Sequence, residues 1–287
     1  MAPSTLPVSV LRRVVGDAPP PVSDPSGGRI MSFLEKYGPW ALVVGGSEGI
    51  GEGYARKLAA QGFNLVLTAR KPGPLNALAD DLREAGTEVR VLSVDLSRPD
   101  ALERTRTVTD DIEVGLLIYN AGANSVRGDL VELDPEVYRA VIAVNVLGQT
   151  EFARHYGGLM RERRRGGIIL SGSSAGYMGA PSLAAYCASK AFSRIFSESL
   201  WIECEKYGVD VLHFCVGFTA TPAMARLGYP LDAAQPADEA AQEALDNLAN
   251  GPVWIAGGQR SVENAVNRSR VDDRAEAVRA FATPGRF

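Results

Sequence analysis

The sequence predicts an α/β fold, a single doubly wound domain with a seven-stranded parallel sheet and helices on both faces. Three observations carry this. From Pro39 onward, short apolar β-like runs alternate with longer stretches of helical periodicity, the pattern of a parallel sheet wrapped by helices. The first run feeds directly into a glycine cluster, Gly45-Gly46-Ser47-Glu48-Gly49-Ile50-Gly51, and then a helix. A chain of 287 residues with 46% hydrophobic content is long enough to bury a full core.

Residues 1 to 28 carry Pro3, Pro7, Pro19, Pro20, Pro21 and Pro25 ahead of Gly27-Gly28, a composition that disfavours regular structure. Residues 1–30 are therefore read as a Pro-rich flexible extension, with Met31 an alternative start, and residues 31–287 as the folded domain. The expected strands are Ala41 to Val44, Asn64 to Thr68, Val89 to Val94, Gly115 to Tyr119, Gly167 to Leu170, Val209 to Phe214 and Val253 to Ala256. Helices are expected over Glu52 to Gln61, Leu75 to Ala85, Pro99 to Asp111, Pro135 to Arg163, Tyr186 to Tyr207 and Ala237 to Ala249, with Gly62, Gly86 and Gly208 as stops. A last helix is expected over Val271 to Phe281.

A formal net charge of -4 gives no long-range attraction for nucleic acid or an anionic membrane, so a small soluble ligand is the expected partner. The run Arg161-Glu162-Arg163-Arg164-Arg165 falls at a helix end, where cations complement the helix dipole, and no aromatic platform accompanies it. Cys187, Cys204 and Cys215 lack metal-ligand spacing and read as free thiols. No apolar run has the roughly 20 residues of a membrane span, and the N-terminus lacks the apolar block of a signal peptide. The expected location is cytoplasmic.

The chemistry concentrates in Tyr186-Cys187-Ala188-Ser189-Lys190, which puts a phenol and an ammonium on one helix face. A tyrosine ordinarily ionises near pH 10, and bringing it toward 7 requires about 4 kcal/mol. One positive charge about 4 Å away, at an effective dielectric of about 20, supplies attraction of that order. Ser173 lies thirteen residues upstream, at the end of the fifth expected strand, where open α/β sheets hold ligands. Ser171 and Ser174 compete for the same position. The glycine turn at a helix start suits phosphate, because exposed amides and missing Cβ atoms let its oxygens approach.

The Gly-x3-Gly-x-Gly spacing at 45, 49 and 51, together with the tyrosine-lysine pair, resembles the short-chain dehydrogenase/reductase family. Tyr37-Gly38-Pro39-Trp40 and Glu48 are most similar to its branch of beta-ketoacyl reductases and hydroxysteroid dehydrogenases. The resemblance implies a Rossmann-type domain binding a nicotinamide dinucleotide through Gly45, Ser47, Gly49, Ile50 and Gly51. It further implies contacts from Asp95, Leu96, Asn120, Ala121, Gly122, Gly217 and Thr221, and from Tyr186 and Lys190 themselves. Its catalytic set maps onto Asn145, Ser173, Tyr186 and Lys190, with Asn145 holding a water in a proton relay to the lysine. At the end of the second strand, NAD-preferring members place an acidic residue where Ala69 stands here. Arg70 beside it can pair with a 2'-phosphate, so NADP(H) is favoured over NAD(H). Asp95 reads alternatively as a cap for the helix near Pro99.

Three positions depart from the family pattern: Val44, Tyr119 and Val216 replace a threonine, an asparagine and a proline. Val44 puts the rigidity of the turn in question. The stretch 222–236 reads as an apolar substrate lid carrying Met224, Leu227 and Tyr229, with Tyr177 and Met178 on the opposite wall. The alternative is that these residues close an oligomer interface. By resemblance a homodimer or homotetramer is expected, with His155 and Phe192 to Trp201 in the contact. The expected activity is hydride transfer to an apolar ketone, aldehyde or oxoacyl compound. A catalytically silent NADP(H)-sensing protein and an NAD-dependent alcohol dehydrogenase remain the other readings.

Overall fold

The structure is a computed structural model that describes residues 31–123 and 127–282. The Pro-rich extension, residues 1–30, lies outside the described residues. In chain order the elements are α1 (Phe33–Tyr37), β1 (Trp40–Val44), α2 (Ile50–Ala60), β2 (Asn64–Ala69), α3 (Pro72–Glu84), β3 (Val89–Ser93), α4 (Ala101–Arg106), β4 (Val114–Tyr119) and α5 (Pro135–Ile142). They continue as α6 (Gln149–Arg163), β5 (Gly166–Ser171), α7 (Ala184–Glu205), β6 (Val209–Cys215), β7 (Thr219–Ala220), α8 (Pro222–Arg226), β8 (Gln235–Pro236), α9 (Ala237–Asp246), β9 (Val253–Ile255), α10 (Gly258–Ser269) and α11 (Arg274–Ala282).

Seven strands form one sheet in the order β3-β2-β1-β4-β5-β6-β9, and every pairing in it is parallel. The order reverses between β1 and β4. There the connections leave in opposite directions, and the strand ends open a crevice, the place where doubly wound sheets hold ligands. Strands β1, β4 and β5 are buried along their whole length, as a central parallel strand covered on both faces must be. On one face Tyr54 and Leu58 of α2, Leu75 and Leu78 of α3 and Ala244 of α9 pack on the sheet. On the other, Phe152, Tyr156 and Met160 of α6 cover Leu42, Leu117 and Leu170.

The single helix expected over 135–163 is interrupted by a π-helical turn at Ala143–Gly148. Its physical cause is Tyr119, whose hydroxyl donates to the Val144 carbonyl at 2.8 Å and draws it out of the helical ladder. Gly148 makes room: a Cβ there would stand 2.3 Å from the Tyr119 hydroxyl oxygen. The helix expected over 99–111 shrinks to Ala101–Arg106, and the hydroxyls of Thr105, Thr107 and Thr109 bond back to carbonyls of the preceding turn. Helix α10 was not expected, because only Val262 and Ala265 of its twelve residues are buried and leave little apolar period to read. The stretch expected to be a lid contains α8 and β8, the latter paired with β7.

Candidate active site

The glycine turn is stitched to its neighbours by main-chain hydrogen bonds. The amides of Gly45 and Gly46 donate to the Thr68 carbonyl at 2.8 and 3.0 Å, and those of Asn120 and Ala121 donate to Val44 at 2.9 and 2.8 Å. The Asn120 side chain adds a bond to the Gly45 carbonyl at 3.2 Å. The hydroxyl missing at Val44 is therefore not needed to tie the turn down. Gly51 is forced by close approach, since a Cβ there would lie 1.9 Å from the Gly45 carbonyl oxygen. Helix α2 then starts at Ile50 with Gly49 as its cap and no side chain accepting from its first amides. Ser47 is half-buried in the same turn. An uncapped helix start behind a turn in which Gly45, Gly46, Gly49 and Gly51 carry no Cβ fits a dinucleotide pyrophosphate.

At the end of β2, Arg70 is exposed. The Asp95 carboxylate accepts from the Ser97 amide at 3.0 Å and the Ser97 hydroxyl at 2.8 Å. It thus closes a local turn and does not cap α4, whose cap is Asp100. The Ser97 amide, with help from the nearby Arg70 and Arg98 charges, holds its carboxyl below the usual range. Arg98 was missed in the sequence, although a cation three residues past Asp95 is visible there. Leu96 packs on the second core face.

Lys190 and Tyr186 share the start of α7. The Lys190 ammonium is buried and donates to the Ser171 carbonyl at 2.9 Å, 5.8 Å from the centre of the Tyr186 ring. Burial pushes the ammonium down to about 8. Tyr186 is half-buried. The short helical turn Ser174–Tyr177 docks on α7 so tightly that a Cβ on Gly176 would reach within 2.7 Å of the Lys190 main chain. Ser173 caps this turn, its hydroxyl accepting from the Ala175 amide at 3.2 Å. Of its competitors, Ser171 has its hydroxyl donating to Asn120 at 3.1 Å, and the Ser174 amide donates to Val216 at 3.2 Å.

Asn145 sits in the π turn and ties three elements together. Its side-chain oxygen accepts from the Ala123 amide at 2.9 Å, and its nitrogen donates to the Ala123 carbonyl at 3.1 Å and the Ser189 hydroxyl at 3.0 Å. Ser189 in turn donates to the Tyr186 carbonyl at 2.7 Å. Gly122 passes close by: a Cβ on it would be 3.6 Å from the Lys190 nitrogen and 3.8 Å from the Asn145 oxygen. Four segments distant in sequence, led by Asn120–Gly122, Asn145, Ser171–Ser173 and Tyr186–Lys190, are thus brought to one sheet edge.

Thr221 caps α8 by accepting from the Met224 amide at 3.2 Å. The segment after it is fastened at two points that the sequence did not reveal. Arg226 pairs with Glu48 of the glycine turn, and Arg127 donates to the Tyr229 hydroxyl at 2.6 Å with its guanidinium over the ring. The hydrogen bond from Arg226 holds the Glu48 carboxyl below its usual range. Met224 and Leu227 are half-buried. Tyr177 lies under the Arg194 guanidinium, and Met178 is buried. Gly217 accepts from the Thr219 hydroxyl at 3.4 Å. A small depression beside Tyr186 is lined by Leu130, Leu133, Val137, Val141 and Leu183 together with Tyr138 and Ser182, none of them among the expected substrate residues. Their helical and loop positions gave no signal without the packing.

Among the described residues no helix is long and apolar enough to cross a membrane, and no cluster of His, Cys, Asp and Glu could hold a metal ion. All three cysteines are free and buried.

The model of the short chain dehydrogenase family matches residues 39–230. A 7beta-hydroxysteroid dehydrogenase of Clostridium sardiniense is 37% identical over 67% of this chain and 74% of its own length. A very-long-chain 3-oxoacyl-CoA reductase of Podospora anserina is 36% identical over 68% of this chain, which spans 59% of that protein. The solved structure of a short-chain dehydrogenase from Sphingobium yanoikuyae in complex with NADPH superposes with a TM-score of 0.72 at 29% identity, covering 87% of this chain and 98% of that one. The chain belongs to the short-chain dehydrogenase/reductase family of oxidoreductases, on the side of its hydroxysteroid dehydrogenases and ketoacyl reductases.

Proposed function

We propose that this protein is an NADPH-dependent reductase of apolar ketones or oxoacyl compounds. The observation that carries the reading is the buried Lys190 ammonium, fixed on the Ser171 carbonyl beside the Tyr186 ring. A positive charge shielded from water stabilises the phenolate over the phenol and makes Tyr186 a usable acid near neutral pH. Tyr186 then delivers its proton to the carbonyl oxygen, and the Ser173 hydroxyl polarises that same oxygen. Asn145 orients the lysine's surroundings through Ala123 and Ser189. When bound, the nicotinamide supplies the hydride. The apolar side chains of 222–236, Met224 and Leu227 among them, suit a hydrocarbon body better than a sugar or dicarboxylate. Residues 222–236 act as the substrate lid, fastened through Arg226 and Tyr229.

The test is oxidation of NADPH against a panel holding a 7-oxo steroid, a 3-oxoacyl thioester and simple aliphatic ketones. Turnover of an apolar member supports the reading. Tight NADPH binding with no turnover on any carbonyl would instead make the protein a cofactor sensor.

The preference for NADPH rests on Arg70, with Arg98 likewise near Asp95 and no acidic side chain at Ala69. Arg70→Asp is expected to weaken NADPH by about 10- to 100-fold, the scale of removing one charge-assisted hydrogen bond and adding one like-charge repulsion. NADH should bind within about threefold of wild type, as no phosphate is involved. Equal losses for both cofactors would refute the assignment. Gly51→Ala should weaken both alike, by about 100-fold or close to 3 kcal/mol, because the new methyl collides with main chain that cannot rotate away. Fluorescence titration reads both effects.

Ile195 and Ile202 project from α7 at 52% and 64% exposure. We read this face as the contact of a homodimer or homotetramer. Light scattering on wild type and Ile202→Glu tests it, and a monomeric wild type at micromolar concentration would exclude it.

A further inference from the structure

Beneath the strand end that carries Ser173 lies a buried histidine with no place in the reaction described above. His213 of β6 is fully buried, and its ring sits directly under Gly172. A Cβ on Gly172 would stand 2.1 Å from both the Cε1 and Nε2 atoms of the imidazole. The fit is one of volume: the ring occupies the space a side chain at 172 would need. The Gly172 amide donates to Phe214 at 2.8 Å, which holds the end of β5 against β6, while the His213 amide donates at 2.8 Å to Pro252, just ahead of β9.

Gly172 separates two residues of the site. The carbonyl before it, on Ser171, is the acceptor for the Lys190 ammonium, and the residue after it is Ser173. Any shift of the Gly172 main chain therefore moves both at once. The other edge of the imidazole is also committed. Its Nδ1 lies 3.4 Å from the Ser193 hydroxyl, which donates to Gln149 at 3.0 Å. Ser193 stands three residues past Lys190 on α7, and Gln149 opens α6 directly after the π turn that holds Asn145. The Nε2 atom, by contrast, is buried without a hydrogen-bond partner. An apolar side chain would fill the space without leaving a buried polar atom unpaired, so the packing core alone gives no reason for a histidine here.

We infer that His213 is a positioning residue, size-matched to Gly172, that sets the strand end from which Ser173 and the Lys190 acceptor are presented. The imidazole stays neutral, because burial and the neighbouring Lys190 and Arg194 charges push its ionisation down to about 3. Two residues on along the same strand, the Cys215 thiol is pushed up by burial, with the Lys190, Arg268 and Arg194 charges around it. Lys190, which ionises at about 8, carries its charge at neutral pH.

The assignment rests on the reductase reading, and two measurements keep the two separable. The first is a double-mutant cycle of His213→Ala and Gly172→Ala on the best carbonyl of the panel. Each single variant should lose about tenfold or more in kcat, while KM and NADPH affinity stay within about twofold, since the reacting groups move but the binding walls do not. The double variant, in which a methyl occupies vacated space, should recover to within about threefold of wild type. The second needs no turnover: ultraviolet difference titration of Tyr186, with Tyr186→Phe as blank. In His213→Ala the tyrosine should ionise about one pH unit higher as Lys190 loses its seat, and the double variant should restore it. Where His213→Ala does not fold, His213→Gln takes its place. Wild-type kcat and an unshifted Tyr186 in the histidine variant would overturn the inference, as would a double variant no better than the product of the singles. A wild type that reduces no carbonyl defeats the reductase reading, and the Tyr186 titration then decides the pairing alone.

Discussion

Tyr186→Phe is expected to lower kcat by about 10²- to 10⁴-fold, the range for losing a positioned general acid. NADPH affinity and melting temperature should stay near wild type. The change deletes one oxygen from a half-buried ring and leaves its packing at the head of α7 intact. Lys190 keeps its bond to Ser171, since that contact does not pass through the phenol. The loss should fall on kcat and not on KM, because the proton moves only as the carbonyl is reduced. Steady-state kinetics with fluorescence titration of NADPH separate the two. A variant with more than about a tenth of wild-type kcat would place the proton donor elsewhere.

Lys190→Met should abolish turnover to a similar extent and, at pH 7, raise stability. The sign follows from linkage. Burial lowers the Lys190 ionisation to about 8, against 10.5 for an ordinary lysine. Between those two pH values the unfolded chain holds a proton that the folded chain has released, so stability climbs as pH rises through that window. Below pH 8 the charged, buried ammonium therefore holds the fold down, by roughly 3 kcal/mol at most. Methionine fills a similar volume without charge. It leaves the Ser171 carbonyl without its donor, which returns about 1 kcal/mol of the gain. A net rise in melting temperature on the order of 5 °C at pH 7 is expected for a domain of this size. The stability gradient between pH 8 and 10.5 should flatten at the same time. Thermal melts across pH check both, and a variant less stable than wild type at pH 7 that keeps the gradient would contradict the argument. A charge kept in place against stability is what a site selected for chemistry contains.

Much of this was legible in the chain. Each of the seven expected strands appears within about two residues of its place, because parallel strands buried on both faces read as unbroken apolar runs. The glycine turn was legible for a similar reason. A Cβ on Gly51 would lie 1.9 Å from the Gly45 carbonyl oxygen, a constraint that admits a single residue type and so leaves its mark on the sequence. The tyrosine-lysine spacing fixes a shared helix face whatever surrounds it.

Other features depend on contacts between residues far apart in sequence. Nothing in 135–163 signals a π turn, because its cause, the Tyr119 hydroxyl, is on another strand. Asp95 reads as a cofactor contact by resemblance or as a cap for the helix near Pro99, and the placement of Ser97 shows only that it does not cap that helix. The links from Glu48 to Arg226 and from Arg127 to Tyr229 span 178 and 102 residues. The sequence by itself determined the layered sheet, the cofactor-type turn and the phenol-ammonium pair, since each follows from local periodicity or from a residue type that sterics alone impose. Tertiary structure alone decided what buries Lys190, what holds Asn145 and why a glycine stands over His213, because burial and volume belong to the packed neighbours and not to the residue.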